Sequence, residues 1–124
     1  MLLGTNDLGA NRDSTTIVQA LQQVISRVHA AGVRIVGATI PPLAGPGDAV
    51  PDPTREQWRL EVNLRIRPGQ ASSLPFDAVV DVDAVLRDPS NPSRTRAELA
   101  WLGNFHPNVD GHRAMGNAVD LSAL

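Results

Sequence analysis

Apolar residues recur along this chain at two spacings. Ile17, Leu21, Val24, Ile25 and Val28 fall at i, i+4, i+7, i+8 and beyond, the stripe that lines one face of a buried helix. Asp13 or Ser14 can cap that helix and Gly32 ends it. Val33 to Ile40 follows as a run rich in β-branched residues and stops at Pro41-Pro42, which reads as a strand. Ahead of the helix stand only Met1-Leu2-Leu3 and a loop from Gly4 to Asn11. Three apolar residues fall short of the roughly 4–8 of a buried strand, so this is the end of one. Strand, helix and strand in that order form a βαβ unit with parallel strands and a right-handed crossover.

Thr54-Arg-Glu-Gln57 fits a capping box, with Thr54 as N-cap. The helix after it runs to about Ile66, with Trp58, Val62 and Ile66 as its stripe and Leu60 and Leu64 beside them, so the tryptophan belongs to the core. Phe76 to Asp83 is the third strand; period two puts Asp77, Asp81 and Asp83 on one side and Ala78, Val80 and Val82 on the other. Paired carboxylates invite an acid/base or metal reading, but at a strand's end aspartates commonly bond loop backbone or cap the next turn. Pro41 to Pro53, Arg67 to Pro75 and Asp88 to Arg96 are loops, and Ala97 to Leu102 is a short helical or irregular approach. A last helix follows Asn108, with Val109, Ala114, Ala118, Val119 and Leu121 at helical spacing.

The length of 124 residues fits one domain and not two. Eleven basic and thirteen acidic residues give a net charge of −2 without a basic stripe, so nothing points to nucleic acid or an anionic membrane. With no cysteine there is neither a disulfide framework nor a thiolate metal site, and the redox compartment stays unread. No apolar run approaches the roughly 20 residues of a spanning helix, and no signal peptide precedes Met1. His29 near its helix C-terminus favours the dipole and reads as structural.

The candidate chemistry lies at the two ends. His106 sits in Asn104-Phe-His-Pro-Asn108, where Pro107 fixes φ and Asn108 and Asp110 are both N-cap types, so the imidazole is held on a rigid turn ahead of a helix. The other end carries Gly4-Thr5-Asn6-Asp7, by itself an ordinary turn sequence. A metal reading of His106, Asp110 and His112 is disfavoured, because residues two apart at a helix start point to different faces, unlike the i, i+4 pair of a zinc helix. His112 reads as an exposed first-turn residue.

Together Gly4-Thr5-Asn6-Asp7 and His106-Pro107-Asn108 with Gly111 resemble the third and fifth conserved blocks of the SGNH (GDSL-type) hydrolases, serine esterases and lipases. The resemblance spans nearly the whole chain but about the last half of a family domain. It implies an α/β fold, a three-layer flavodoxin-like and mostly parallel sheet truncated at its N-terminal half, with residues 1–124 as one partial domain. It implies that His106 serves as general base and that Asn6 donates to the oxyanion. Gly4, Thr5 and Asp7 would support the Asn6 loop, Pro107, Asn108 and Gly111 would set the turn and helix start, and the proline-rich loop would line the acyl or leaving-group pocket. No cofactor or metal is implied; the substrate would be a small-molecule, glycan or lipid ester. Family members are often secreted, which leaves the localisation of this chain unassigned.

Two departures from the pattern qualify that implication. The family's Gly-Asp-Ser nucleophile and second-block glycine are missing: Ser14, Ser26, Ser72, Ser73, Ser90, Ser93 and Ser122 all lack the context. The orienting aspartate is also missing, since three residues before His106 stands Gly103, with Asn104 next to it; a backbone carbonyl could take the role. The expectations are that the chain alone hydrolyses no ester, that Asn6 and His106 face one cleft, and that an uncovered strand edge leads to self-association or to complementation by an upstream polypeptide. The alternative is a non-catalytic α/β module for binding or assembly.

Overall fold

The Asp13 carboxylate accepts the Thr16 N–H at 2.7 Å and starts α2 (Ser14–Ala30). Gly32, at φ +70, follows its end. Ile17, Leu21 and Ile25 are buried with Val24 and Val28 packed beside them, so the apolar stripe is the core face. Each such side chain contributes about 1.5–3 kcal/mol by leaving water. The computed structural model describes residues 1–49 and 51–123; Val50 of the proline-rich loop and Leu124 lie outside them.

The strands are shorter than their apolar runs. β1 (Val36–Ala38) pairs in parallel with β2 (Ala78–Val80), Val36 opposite Ala78 and Ala38 opposite Val80, and α3 (Pro53–Ile66) lies in the crossover between them. Side chains cut the ladder at both ends. Asp77 Oδ2 takes the Ile35 N–H at 2.7 Å, and Asp81 leaves the strand to cap α4 (Val82–Leu86), accepting the Ala84 N–H at 3.1 Å. The expected strand through Asp83 therefore stops at Val80, and Asp83 is helical.

Four more expectations are corrected. The segment after Gly4 forms α1 (Thr5–Gly9) rather than a loop. Met1 to Leu3 form no assigned strand, although the Met1 ammonium donates to Val36 O and so lies beside β1. Asp52, not Thr54, caps α3, its Oδ1 accepting from Thr54 and Arg55; a carboxylate there suits the helix dipole, and Pro53 suits the first turn. Gln57 bonds Glu61 instead of reaching back. Finally, Asp88 to Arg96 is a small antiparallel pair, β3 (Arg87–Asp88) with β4 (Asn91–Thr95), whose irregular register accommodates Pro89 and Pro92 at an edge.

Among the described residues the fold is thus mixed α/β, with one short parallel and one short antiparallel sheet. Leu8, Ile17, Ile25, Ile40, Val62 and Ile66 form one core cluster with α1, α2 and α3. Val80, Val82 and Leu86 form another with Val36, Ala38, Leu99, Met115 and Ala118, the last two brought by α5 (Val109–Asn117) and its C-cap. The stripe read for that last helix is only partly right: Val109 and Leu121 are exposed, and Gly111 and Met115 face inward instead.

α3 also departs from its expected stripe. Leu60 and Leu64 are exposed, while Arg59 and Asn63 are fully buried. Asn63 donates to Ile40 O at 2.8 Å and accepts Ile40 N–H at 2.7 Å. Arg59 donates to the same carbonyl, to both oxygens of Glu56 and to the fully buried Asp83. Asp83 also receives Arg67 and Arg87, and Arg67 holds Asp81 by two bonds. The strand-end aspartates are therefore ion-paired and capping, with no oxygen set aside for a metal.

Burial would push the Asp81 carboxyl up, but bonds from Arg67, the Ala84 N–H and the Thr39 hydroxyl overcome it and hold it at about 2, below the usual 3.8. Because the folded value is the lower one, its stabilisation is complete above about pH 4 and lost as pH falls toward 2. With 38% of the side chain exposed, screening limits the effect to on the order of 1 kcal/mol. Asp81→Asn should flatten the dependence of the unfolding midpoint on pH between 4 and 2; an unchanged slope would contradict the assignment.

Candidate active site

His106 is carried by a short hairpin. Ala100 and Pro107 form an antiparallel bridge, Trp101 N–H donates to His106 O at 2.8 Å, and Asn104 N–H donates to Trp101 O at 3.0 Å. Leu102 and Gly103, at φ 48 and 80, supply the two positive values that a type I′ turn requires. The hairpin is clamped from the proline-rich loop. Gly47 N–H donates to Gly103 O at 2.7 Å, and a Cβ on Gly45 would fall 2.1 Å from the Asn104 carbonyl carbon, so only glycine allows this approach.

Past the turn, the Asn108 side chain does three things at once. Its oxygen caps α5 through Gly111 N–H at 2.9 Å, and its amide donates to Glu98 O at 2.9 Å and Ala100 O at 3.3 Å. Gly111 is buried against Leu99 O and Pro107, where a Cβ would lie 2.6 and 2.8 Å from them. The start of α5 is thereby fixed to the strand before the turn, and the imidazole position follows.

The orienting group for that imidazole is a side chain. Asn104 Oδ1 accepts the His106 backbone N–H at 2.8 Å and lies 3.2 Å from Nδ1. The backbone contact, an Asx turn, requires the carbonyl end of the amide to face His106. An oxygen that can only accept then meets Nδ1, so Nδ1 carries the proton and Nε2 keeps its lone pair. The backbone carbonyl that the sequence left open for this role is replaced by the Asn104 amide. The His106 ring stacks on Phe105 with centroids 4.2 Å apart and planes 28° apart.

Phe105 joins this turn to the other end of the chain. A cleft of about 220 Å³ is lined by Thr5, Asn6 and Gly9 of α1, by Leu43 and Pro51 of the proline-rich loop, by Asp52, Arg55 and Glu56, and by Phe105. Asn6 is exposed and belongs to this cleft; Gly4 lies beneath it, buried, at φ +110, where a Cβ would meet Ile40 Cδ1 at 2.6 Å. Asp7 lies elsewhere, lining a groove with Ile17, Leu21 and Val24. Asn6 and the ring beside His106 are thus about one hundred residues apart in sequence and share a wall in space. None of the serines lines the cleft, and its one hydroxyl is Thr5.

Asp110 pairs with Arg113, and His112 Nδ1 faces Asn108 O at 2.9 Å. Among the described residues no three His, Cys, Asp or Glu side chains converge as metal ligands. Sequence reasoning missed Asn104 as the orienting group, although the Asn-x-His spacing of an Asx turn was legible. It also missed Asp52, Arg55 and Glu56, which only the tertiary fold brings to Asn6.

The model of the GDSL-like Lipase/Acylhydrolase family matches residues 1–114. No curated protein matches the chain.

Proposed function

Since the chain belongs to the GDSL-like lipase/acylhydrolase family, we propose that it carries the histidine and oxyanion side of a site that hydrolyses carboxylic esters. The observation that carries this reading is the Asn104 amide oxygen 3.2 Å from His106 Nδ1, which leaves Nε2 as the basic nitrogen. A serine hydroxyl would lose its proton to Nε2 while its oxygen attacks the ester carbonyl carbon. The resulting oxyanion would accept from the Asn6 amide, an interaction whose removal costs about 10²–10³ in kcat in other hydrolases. Collapse would break the bond to the alcohol, which takes the proton from Nε2. Water would then cleave the acyl-enzyme by the same transfers.

The serine itself belongs, in this reading, to polypeptide outside this chain. What supports it is an apolar groove of about 350 Å³ lined by Met1, Leu2, Val36, Val80, Val82, Met115 and Val119, beside a segment whose Leu2 and Leu3 are 42% and 49% exposed. A strand laid along Met1 to Leu3 would extend the parallel sheet between the two core clusters, toward the three-layer flavodoxin-like arrangement. Left uncovered, such an edge favours self-association.

The test is hydrolysis of a short-chain nitrophenyl ester by the chain alone and by the chain joined to, or mixed with, a segment bearing Gly-Asp-Ser. The expected result is no turnover alone and turnover on complementation that His106→Ala removes. Turnover by the chain alone that His106→Ala abolishes would place the nucleophile within this chain, with Thr5 the first hydroxyl to test. No turnover in any combination would favour a non-catalytic binding or assembly module.

A further inference from the structure

The cleft beside Asn6 contains three ionisable side chains, and they are not equally committed. Glu56 gives both oxygens to Arg59, at 2.8 and 2.6 Å, and Arg59 is fully buried. Asp52 has Oδ1 on the Thr54 and Arg55 N–H groups at 2.8 and 3.2 Å, so its charge is opposed by the first turn of α3. Arg55 differs. Its Nε donates to the neutral Asn11 amide oxygen at 2.8 Å, and its two terminal nitrogens have no partner among the described residues. A guanidinium with a free fork matches a carboxylate in two parallel bonds.

Besides Thr5 and Gly9, the rest of the wall is apolar: Leu43, Pro51 and Phe105. Apolar walls lower the local dielectric and strengthen whatever pair forms beside them. The cleft is small, about 220 Å³, a size that suits a short acyl or alcohol arm. Asn6 and Arg55 both line it beside these apolar side chains, so it offers two polar groups to one short ligand.

We propose that this cleft selects short esters that carry a carboxylate at the end away from the reacting carbonyl, and that Arg55 reads that carboxylate. The proposal rests on the ester-hydrolase reading for the identity of the ligand, but not on turnover. Asp52 lines the same cleft, and its carboxylate repels a second negative charge, which favours a monoanion over a dianion. Arg55 acts as a specificity residue and takes no part in proton transfer.

Binding to the chain itself provides the test, read from amide shifts of Asn6 and Phe105 and from the Arg55 Nε resonance. The probes are monoethyl succinate, diethyl succinate and a choline ester of similar length. The expected result is that monoethyl succinate binds about tenfold tighter than the neutral diester, that the cationic ester binds weakest, and that the preference weakens with salt. Arg55→Gln should bring the monoester down to the diester, whose binding it leaves in place. Asn11→Ala, which frees Nε but keeps the guanidinium, should retain the preference.

Equal binding of monoester and diester by the unaltered chain, or a preference that survives Arg55→Gln, would overturn the proposal. If Arg55→Gln lost both ligands through the Asn11 contact, Arg55→Lys would decide: a retained preference supports the proposal, and a lost one overturns it. Because no serine is needed for binding, an anion preference without turnover in any complemented form would count against the hydrolase reading alone.

Discussion

Replacing Arg59 by alanine should destabilise the domain by about 3–5 kcal/mol, the usual cost of removing one partner from a buried ion pair. Arg59 and Asp83 are both fully buried and bonded at 2.5 Å. Without the guanidinium, Glu56 loses both its bonds, Asp83 keeps only Arg67 and Arg87, and Ile40 O retains only Asn63. Ile40 ends the segment that leads into the proline-rich loop, so the loss reaches the Gly45 and Gly47 clamp on the His106 turn. Since ordinary domains have only about 5–15 kcal/mol in total, a large share of the stability is at stake. Denaturant unfolding followed by circular dichroism measures it, and a loss below about 1 kcal/mol would show that the cluster is replaceable.

The second large effect concerns catalysis in the serine-complemented protein. His106→Ala should lower kcat by about 10⁴–10⁶, the range seen when the base of a serine hydrolase is removed. Asn104→Ala should cost less, about 10–10³, because the imidazole remains but loses the contact that sets its tautomer. Asn104→Asp should go the other way. A carboxylate in the same place would keep the tautomer and also stabilise the imidazolium, and one pKa unit of such stabilisation is worth about tenfold. If Asn104→Asp lowers the rate as far as Asn104→Ala does, the amide has a role other than orienting the ring.

The legible parts of this fold are those where a local signal had no competitor. The Ile17 to Val28 stripe, the Asp13 cap and the Gly32 stop gave α2 nearly to the residue. Asn108 before Val109-Asp110-Gly111 gave the start of α5. Errors arose where a side chain outbid the backbone pattern. Asp77 and Asp81 end the strands because their carboxylates take the N–H groups of Ile35 and Ala84, and Asp52 displaced Thr54 because a charged cap precedes the proline. Arg59 and Asn63 occupy the inward face of α3 because Ile40, Asp83 and Glu56 satisfy them there, and no spacing in the sequence announces such partners.

For the site, the two motifs at the ends pointed to Asn6 and His106, and the resemblance they carry is to the family whose model matches residues 1–114. That Asn6 and Phe105, the neighbour of His106, line one cleft depends on the β1–β2 pairing and on the Gly45 contact with Asn104, which no local pattern encodes. Asn104 was visible as a residue but not as a role. Its function follows from the positive φ of Leu102 and Gly103, which turn the amide back onto the imidazole.

This turn presents a histidine with its proton on Nδ1 and a free Nε2. Long-range proton–nitrogen correlation spectra of the nitrogen-labelled chain, recorded above the imidazole titration, report which ring nitrogen is protonated. The expected spectrum shows His106 with a pyrrole-type Nδ1 and a pyridine-type Nε2, shifting toward a tautomer mixture in Asn104→Ala. A His106 whose proton sits on Nε2, or one that Asn104→Ala leaves unchanged, would contradict the account.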